Sequence, residues 1–420
     1  MLRRSLTLLL VVSLLLSALS FASARPEADS VILLIGDGMG FNHIELTRLA
    51  LGGNPLAMQR LPYSGLVATH SADSPVTDSA AAATALAAGV KTNNGMLAVS
   101  PGGQRLETIL ERCLEKGKAA GLVTNDALWG ATPAAFAVHL GSRGEYAEIA
   151  RQLAESKVQV MLGCGADEMK PKAAGGARKD DLDLVKALQG RGYDVVTTRE
   201  EMRKAARPQL VGLFGDEAPS VAEMTEAALA RLEQSKRGFF LMVEECGSDG
   251  GGHGSDPLRV VRAVRSLDKT VQVAVDHARR RGRTLVLVTA DHETGGLLID
   301  APARAPLLTR ATASAREIVK QFSDNRANVA VVLKERAGVD DLTPAELEKI
   351  QKASNPTEAV LAVLSARAGV RWTGQGHHTG VPVRVFAFGP GAERFTGTLD
   401  NTQLSGLIAE TLGLGTFPKP

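Results

Sequence analysis

Six short runs rich in Val, Ile and Leu recur along the 420-residue chain, and each ends in glycine or a polar cluster. They are "VILLIGDG" from 31, "AAGLVTND" from 119, "VQVMLGCG" from 158, "GFFLMVEE" from 238, "TLVLVTADH" from 284 and "VPVRVFAFG" from 381. Continuous apolar runs of this length predict strands buried on both faces. Between them, residues 106–117, 145–156, 220–236 and 257–282 carry apolar positions three and four apart, which predicts amphipathic helices. The alternation predicts an α/β fold, a mostly parallel central sheet sandwiched by helices. Ligands of such sheets bind beyond the carboxyl ends of the strands.

Two regions break the rhythm. Residues 163–215, rich in Gly, Lys and Asp, read as a surface excursion. Residues 301–372 carry charged helical pieces between two core strands and read as an insertion flanking either the active site or a subunit contact. The division expected is a leader at 1–24 followed by one catalytic domain, 25–420, that includes this insertion.

The leader rests on "MLRRSLTLLLVVSLLLSALSFASA", in which two arginines precede an apolar stretch that ends in Ala22-Ser23-Ala24. This is the pattern of a secretory signal peptide cleaved after Ala24; an uncleaved anchor is the alternative reading, against which the stretch is short for a span. The protein is thus expected to be exported, to a periplasm or outside the cell. Without the leader, 46 basic residues face 46 acidic ones, so the basic footprint of a nucleic-acid binder is missing. Aromatic residues make up 4%, too few for a base-stacking platform. Three cysteines, Cys113, Cys164 and Cys246, allow one intrachain disulfide at most, and spacing does not say which pair.

The residues with chemistry cluster where the predicted strands end. Asp37 lies in "GDGMG" after the first run, although Gly-Asp-Gly is also an ordinary turn. In "VEECGSDGGGHGSDP", Glu244 leaves a strand, and Asp249 and His253 stand four apart in what reads as a flexible glycine-rich loop. "TADHETGG" sets Asp291 beside His292, and "GHHTG" adds His377 and His378. Sets of Asp and His suit zinc, whereas carboxylates with a hydroxyl suit magnesium. His43, His70, His139 and His277 lack such surroundings and read as ordinary surface or core histidines. In "VTDSAAAATALAAG", Ser79 opens an alanine-rich helix whose dipole and free amides favour a nucleophilic oxygen and an incoming phosphate. The same Asp78-Ser79 pair suits a plain helix cap, and the stretch alone leaves both readings open.

Taken in order, "IGDGMG", "VTDSAAAATALAAGVKTNNG", "ATPAAFAVHLGSR", "FLMVEECGSDGGGHGSDP", "TADHETGG" and "GHHTG" resemble the motifs of metal-dependent alkaline phosphatases, over about residues 31 to 389. The resemblance implies that Ser79 is the nucleophile, passing through a covalent phosphoserine, and that Arg143 holds two phosphate oxygens. It implies one zinc on Asp249, His253 and His378, and a second on Asp37, Asp291 and His292 that also contacts Ser79. A third site, usually magnesium, would take Asp37 again with Thr132 and Glu244. Cys246 then reads as packing, because the ligand set is complete without it. Gly130 and Gly250 stand where relatives often carry an acid or histidine and a larger side chain, which leaves the third metal's identity open and implies weaker phosphate retention. The activity implied is hydrolysis of small-molecule phosphate monoesters at alkaline pH, by a homodimer with no membrane span after the leader is removed. Two other readings are a phosphodiesterase built on the same two-zinc core, against which Arg143 and the "VTDSAAAATA" stretch weigh, and a secreted phosphate- or metal-binding protein without turnover, against which the intact nucleophile Ser79 and the ligand set weigh.

Overall fold

The computed structural model describes residues 27–300 and 304–418. The proposed leader lies outside the described residues. Among the described residues, fourteen strands are formed: β1 (Ser30–Gly36), β2 (Tyr63–Ala68), β3 (Ala119–Ala127), β4 (Val160–Cys164), β5 (Asp194–Val196), β6 (Leu210–Leu213), β7 (Phe239–Glu245), β8 (Thr284–Thr289), β9 (Glu293–Thr294), β10 (Leu297–Ile299), β11 (Val370–Trp372), β12 (His378–Thr379), β13 (Val383–Phe388) and β14 (Gly397–Asp400). Ten of them make one sheet in the order β14-β2-β13-β8-β1-β7-β3-β4-β6-β5. All pairings in it are parallel except the two made by β13, which runs antiparallel to both β2 and β8. The architecture is a large and mostly parallel sheet flanked by helices, as the alternation of strands and helices predicts.

The six predicted strands are β1, β3, β4, β7, β8 and β13, and the four predicted helices span Ile109–Glu115, Tyr146–Glu155, Val221–Leu232 and Pro257–Arg281. Every residue of β1, β7 and β8 is buried, as their unbroken apolar runs require. The segment 163–215 is not a surface excursion. It supplies β5 and the fully buried β6, which extend the sheet on its far side. Strands of three and four residues, one of them broken by Gly212, carry too little periodicity to stand out from a polar neighbourhood. The described part of 301–372 does form short helices, of which Pro356–Ala368 is the longest, and its last strand, β11, pairs antiparallel with β10.

The register of the central strands brings the chemistry to one edge. Ile35 of β1 lies beside Glu244 of β7 on one side and Thr289 of β8 on the other. The residues that follow each strand, Asp37, Gly247 onward and Asp291, therefore emerge together at the carboxyl ends of adjacent parallel strands. The turn after β1 depends on Gly38, whose φ is +67° and whose missing Cβ would lie 2.6 Å from the Cα of Asp249. Only glycine meets both demands.

Candidate active site

Ser79 is the first residue of the helix Ser79–Ala88, and the preceding Asp78 is its cap, accepting the Ala81 N–H at 3.0 Å through Oδ1. Capping therefore falls to Asp78, and the Ser79 hydroxyl is left for other work. All ten residues of this helix are buried. Alanine permits the close packing that buries a helix on every side, and this packing fixes where Ser79 sits. Its Oγ is 3.2 Å from His292 Nε2.

His292 is fully buried, and burial lowers its pKa, so the ring is neutral. Its Nε2 lies 3.2 Å from Asp291 Oδ2 and 3.6 Å from Asp37 Oδ1. Its Nδ1 is 3.2 Å from Thr294 Oγ1, and that hydroxyl donates to Asp249 Oδ1 at 2.6 Å. Because the Thr294 proton goes to Asp249, the threonine oxygen accepts the Nδ1–H of His292. The Nε2 lone pair is then free to face Asp37, Asp291 and Ser79. Thr294 lies in the motif "TADHETGG", but nothing in its spacing marks it, because its role depends on Asp249, 45 residues away on another element.

A second group repeats this logic. His378 Nδ1 donates to the Thr77 carbonyl at 2.9 Å and His253 Nδ1 to the Gly376 carbonyl. Their Nε2 atoms stand 3.3 Å apart, and 3.4 and 3.2 Å respectively from Asp249 Oδ1. The His292 and His378 rings stack with centroids 3.6 Å apart, which joins the two groups. Burial works against protonation of His378, but the Asp249 carboxylate and the Thr77 carbonyl outweigh it and raise its pKa. Asp249 is itself held well below the usual carboxylate range, its burial overcome by His378, His292 and Thr294. The segment Gly247–His253 is helical and not a loop, so spacing of four stacks Asp249 and His253 on one face. Its glycines are poor helix formers, but tertiary contact overrides propensity: a Cβ on Gly252 would lie 2.4 Å from the Thr294 carbonyl oxygen.

Among the described residues, Asp249–His253–His378 and Asp37–Asp291–His292 are the two groups of three whose ligand atoms lie within 4.8 Å of one another. His377 is exposed and belongs to neither group, and His43, His70, His139 and His277 also lie outside both. The donor atoms fit cations. Asp37 Oδ1, Asp291 Oδ2 and Thr132 Oγ1 are buried and without a hydrogen-bond partner. Asp37 is raised well above the usual range by burial and by its neighbours Asp291, Asp249 and Glu244. Burial pushes Glu244 up to about 8, opposed by a hydrogen bond from Thr124 and helped by the nearby Asp126 charge. Buried carboxylates this crowded are costly unless a cation offsets them.

Arg143 donates from Nη1 to Asp78 Oδ2 at 3.0 Å, and the same oxygen accepts the Gly95 N–H at 3.0 Å. One aspartate thus ties the serine helix to the arginine loop. Replacing Asp78 with alanine is expected to cost about 1 kcal/mol as a lost cap, read as a lower denaturant midpoint. It is also expected to free Arg143, so that inorganic phosphate inhibits more weakly; an unchanged inhibition constant would separate Asp78 from anion binding.

The space beside the two glycines noted above is not empty. Asp126 Oδ2 lies 3.2 Å from where a Cβ on Gly130 would be, and the Arg259 guanidinium carbon 2.2 Å from that of Gly250. The Ala127 carbonyl and the Asp126 carboxylate border the first place, and the Arg259 guanidinium occupies the second. The three cysteines are all free thiols, and burial pushes Cys113 up to about 12 and Cys246 higher still, as suits packing.

Comparison with known proteins bears on what this arrangement does. Residues 28–414 match the family described as alkaline phosphatase. The chain belongs to the alkaline phosphatase family. It is 32% identical to alkaline phosphatase 4 of Bacillus subtilis over 93% of this chain and 90% of that one. The crystal structure of the cold-active alkaline phosphatase from Shewanella sp. superposes with a TM-score of 0.83 at 29% identity, covering 91% of this chain and 99% of that one. The Thermus thermophilus alkaline phosphatase gives 0.82 at 30%, covering 93% and 92%. The protein is a hydrolase of this family, a phosphomonoesterase. No helix among the described residues is long and apolar enough to cross a membrane.

Proposed function

We propose that the protein hydrolyses phosphate monoesters in two displacements through a phosphoserine on Ser79. The observation that carries this reading is the Ser79 hydroxyl 3.2 Å from His292 Nε2, beside two separate three-ligand groups. In the first displacement Ser79 Oγ bonds to phosphorus and the alcohol oxygen leaves, taking a proton. In the second, water bonds to phosphorus and Ser79 Oγ leaves, giving inorganic phosphate and the original hydroxyl.

The chain's own groups prepare each displacement. The amides of the first helical turn have no acceptors within the helix; Asp78 takes that of Ala81, and those before it suit an anion. Arg143, oriented by Asp78, matches two phosphate oxygens with its planar fork. Asp37, Asp291 and His292 would hold one cation, Asp249, His253 and His378 another, and Asp37, Thr132 and Glu244 a third. The nitrogen-containing sets suit zinc and the oxygen-only set magnesium. When bound, these ions supply Lewis-acid stabilisation of the attacking and departing oxygens. Such help matches the barrier, since enhancements for monoester hydrolysis reach about 10²¹-fold. The leader at 1–24 supports export, and the family resemblance supports a homodimer.

The test compares a chromogenic phosphomonoester with its matched diester, before chelation and after zinc and magnesium are restored. The expected result is a rate that depends on metal and strongly favours the monoester, and that falls by about two orders of magnitude in Arg143→Ala. A preference for the diester would overturn the monoester reading, and metal binding without turnover would leave only a binding protein.

A further inference from the structure

A cavity of roughly 520 Å³ lies between the 301–372 insertion and the second ligand group. His253 forms one wall, Leu361 and Ala362 of the helix Pro356–Ala368 form the opposite wall, and Trp372 of β11 contributes an aromatic side. Asn355 and Glu358 add polar atoms to its lining. We infer that this cavity is a subsite for the alcohol portion of the substrate, built for a flat apolar group such as an aryl ring. The inference rests on the phosphomonoesterase reading of the same site.

Three observations lead there. In an in-line displacement the leaving oxygen departs on the side away from the nucleophile. Ser79 touches His292, a member of the Asp37 group, so the alcohol departs on the side of Asp249, His253 and His378. Of that group, His253 is the open member, with 45% of its side chain exposed, and it is the one that lines the cavity. The walls are also rigid. Trp372 Nε1 donates to Ser365 Oγ at 3.2 Å, and its ring packs where a Cβ on Gly295 would come within 2.9 Å. The His253 ring is fixed by the Gly376 carbonyl. A planar ring entering between Trp372 and the Leu361–Ala362 face would gain stacking and apolar contact without deforming the protein. The insertion, which takes no part in holding the metal ligands, thereby acquires a role in substrate choice.

The experiment fills the cavity from an exposed position. Ala362 is solvent-exposed on a helix, so Ala362→Trp adds bulk to the cavity without disturbing the core, and Ala362→Ser leaves the space open as a control. With metal-loaded enzyme, kcat/KM for 2-naphthyl phosphate is expected to fall about tenfold or more in Ala362→Trp. That for methyl phosphate, too small to reach the cavity, should change by less than about twofold, and Ala362→Ser should match the parent on both. Equal losses on the two esters, or no loss on the naphthyl ester, would overturn the subsite. Calorimetric binding of 2-naphthylmethylphosphonate, which cannot be hydrolysed, separates the two ideas. If neither ester turns over, the phosphatase reading fails, yet weaker phosphonate binding by Ala362→Trp would still support the subsite, and equal binding would refute it.

Discussion

Ser79→Ala is expected to lower kcat/KM for a phosphomonoester by roughly 10⁴- to 10⁶-fold, the scale seen when a nucleophile is removed from a preorganised site. The fold should not suffer. Ser79 is not the cap of its helix, Asp78 is, and alanine is the best helix former at the position. Among the described residues the hydroxyl's hydrogen-bond partner is His292 Nε2, so its loss should change stability by about 1 kcal/mol at most. A thermal melt near that of the parent, together with loss of the phosphoryl mass adduct on the Ser79 peptide after acid quench, is the expected pair of measurements. Retention of more than about a tenth of the activity would mean that water attacks the ester directly and that no phosphoserine is required.

The second large effect concerns the chain stripped of metal. In that state Glu244 keeps its proton to about pH 8, whereas in the unfolded chain it ionises near its ordinary value of 4.5. Asp37 is displaced in the same direction. Through these two groups the folded state binds more protons than the unfolded one, so their contribution to stability falls as pH rises from about 4.5 to about 8, opposed below about pH 6.5 by His43, His277 and His292, whose burial lowers their pKa. Asp249, held below its ordinary value of 3.8, has the opposite slope, but only in more acidic solution. Bound cations remove the cost of ionising Asp37 and Glu244. A single ion at a thousand times its dissociation constant adds about 4 kcal/mol. The expected result is that restoring zinc and magnesium raises Tm more at pH 8 than at pH 5.5, while chelation abolishes turnover. Buried acids outside the ligand groups, such as Glu245, are raised too, but their slope is common to both forms and cancels in the difference. A metal-free Tm flat from pH 5 to 8, with no larger gain from metal at pH 8, would contradict this account.

The two effects share a cause in how the ligands are prepared. Each of the three histidines gives its Nδ1 proton to an oxygen: Thr294 for His292, Gly376 for His253 and Thr77 for His378. Three Nε2 atoms are thereby turned toward carboxylates, so that nitrogen and oxygen donors converge at two points. The pairing of β12 with β9, His378 against Thr294, sets this geometry by bringing residues 84 positions apart to one point.

Sequence alone determined the parts of the protein that depend on short range. The unbroken apolar runs specified β1, β7 and β8, because a strand buried on both faces needs no particular partner to be recognised. Glycine-rich turns at their ends marked Asp37, Glu244, Asp249, Asp291 and His292, since a ligand-bearing strand end must turn sharply. What the tertiary structure decided was everything that needs a distant partner. Whether Asp78 or Ser79 caps the helix was settled by which oxygen reaches Ala81 and which reaches His292, 213 residues away. Gly247–His253 became a helix because close contact with Thr294 and Val260 rewards the absence of side chains, a term no local propensity contains. The short β5 and β6 formed because the sheet already offered an edge to pair with.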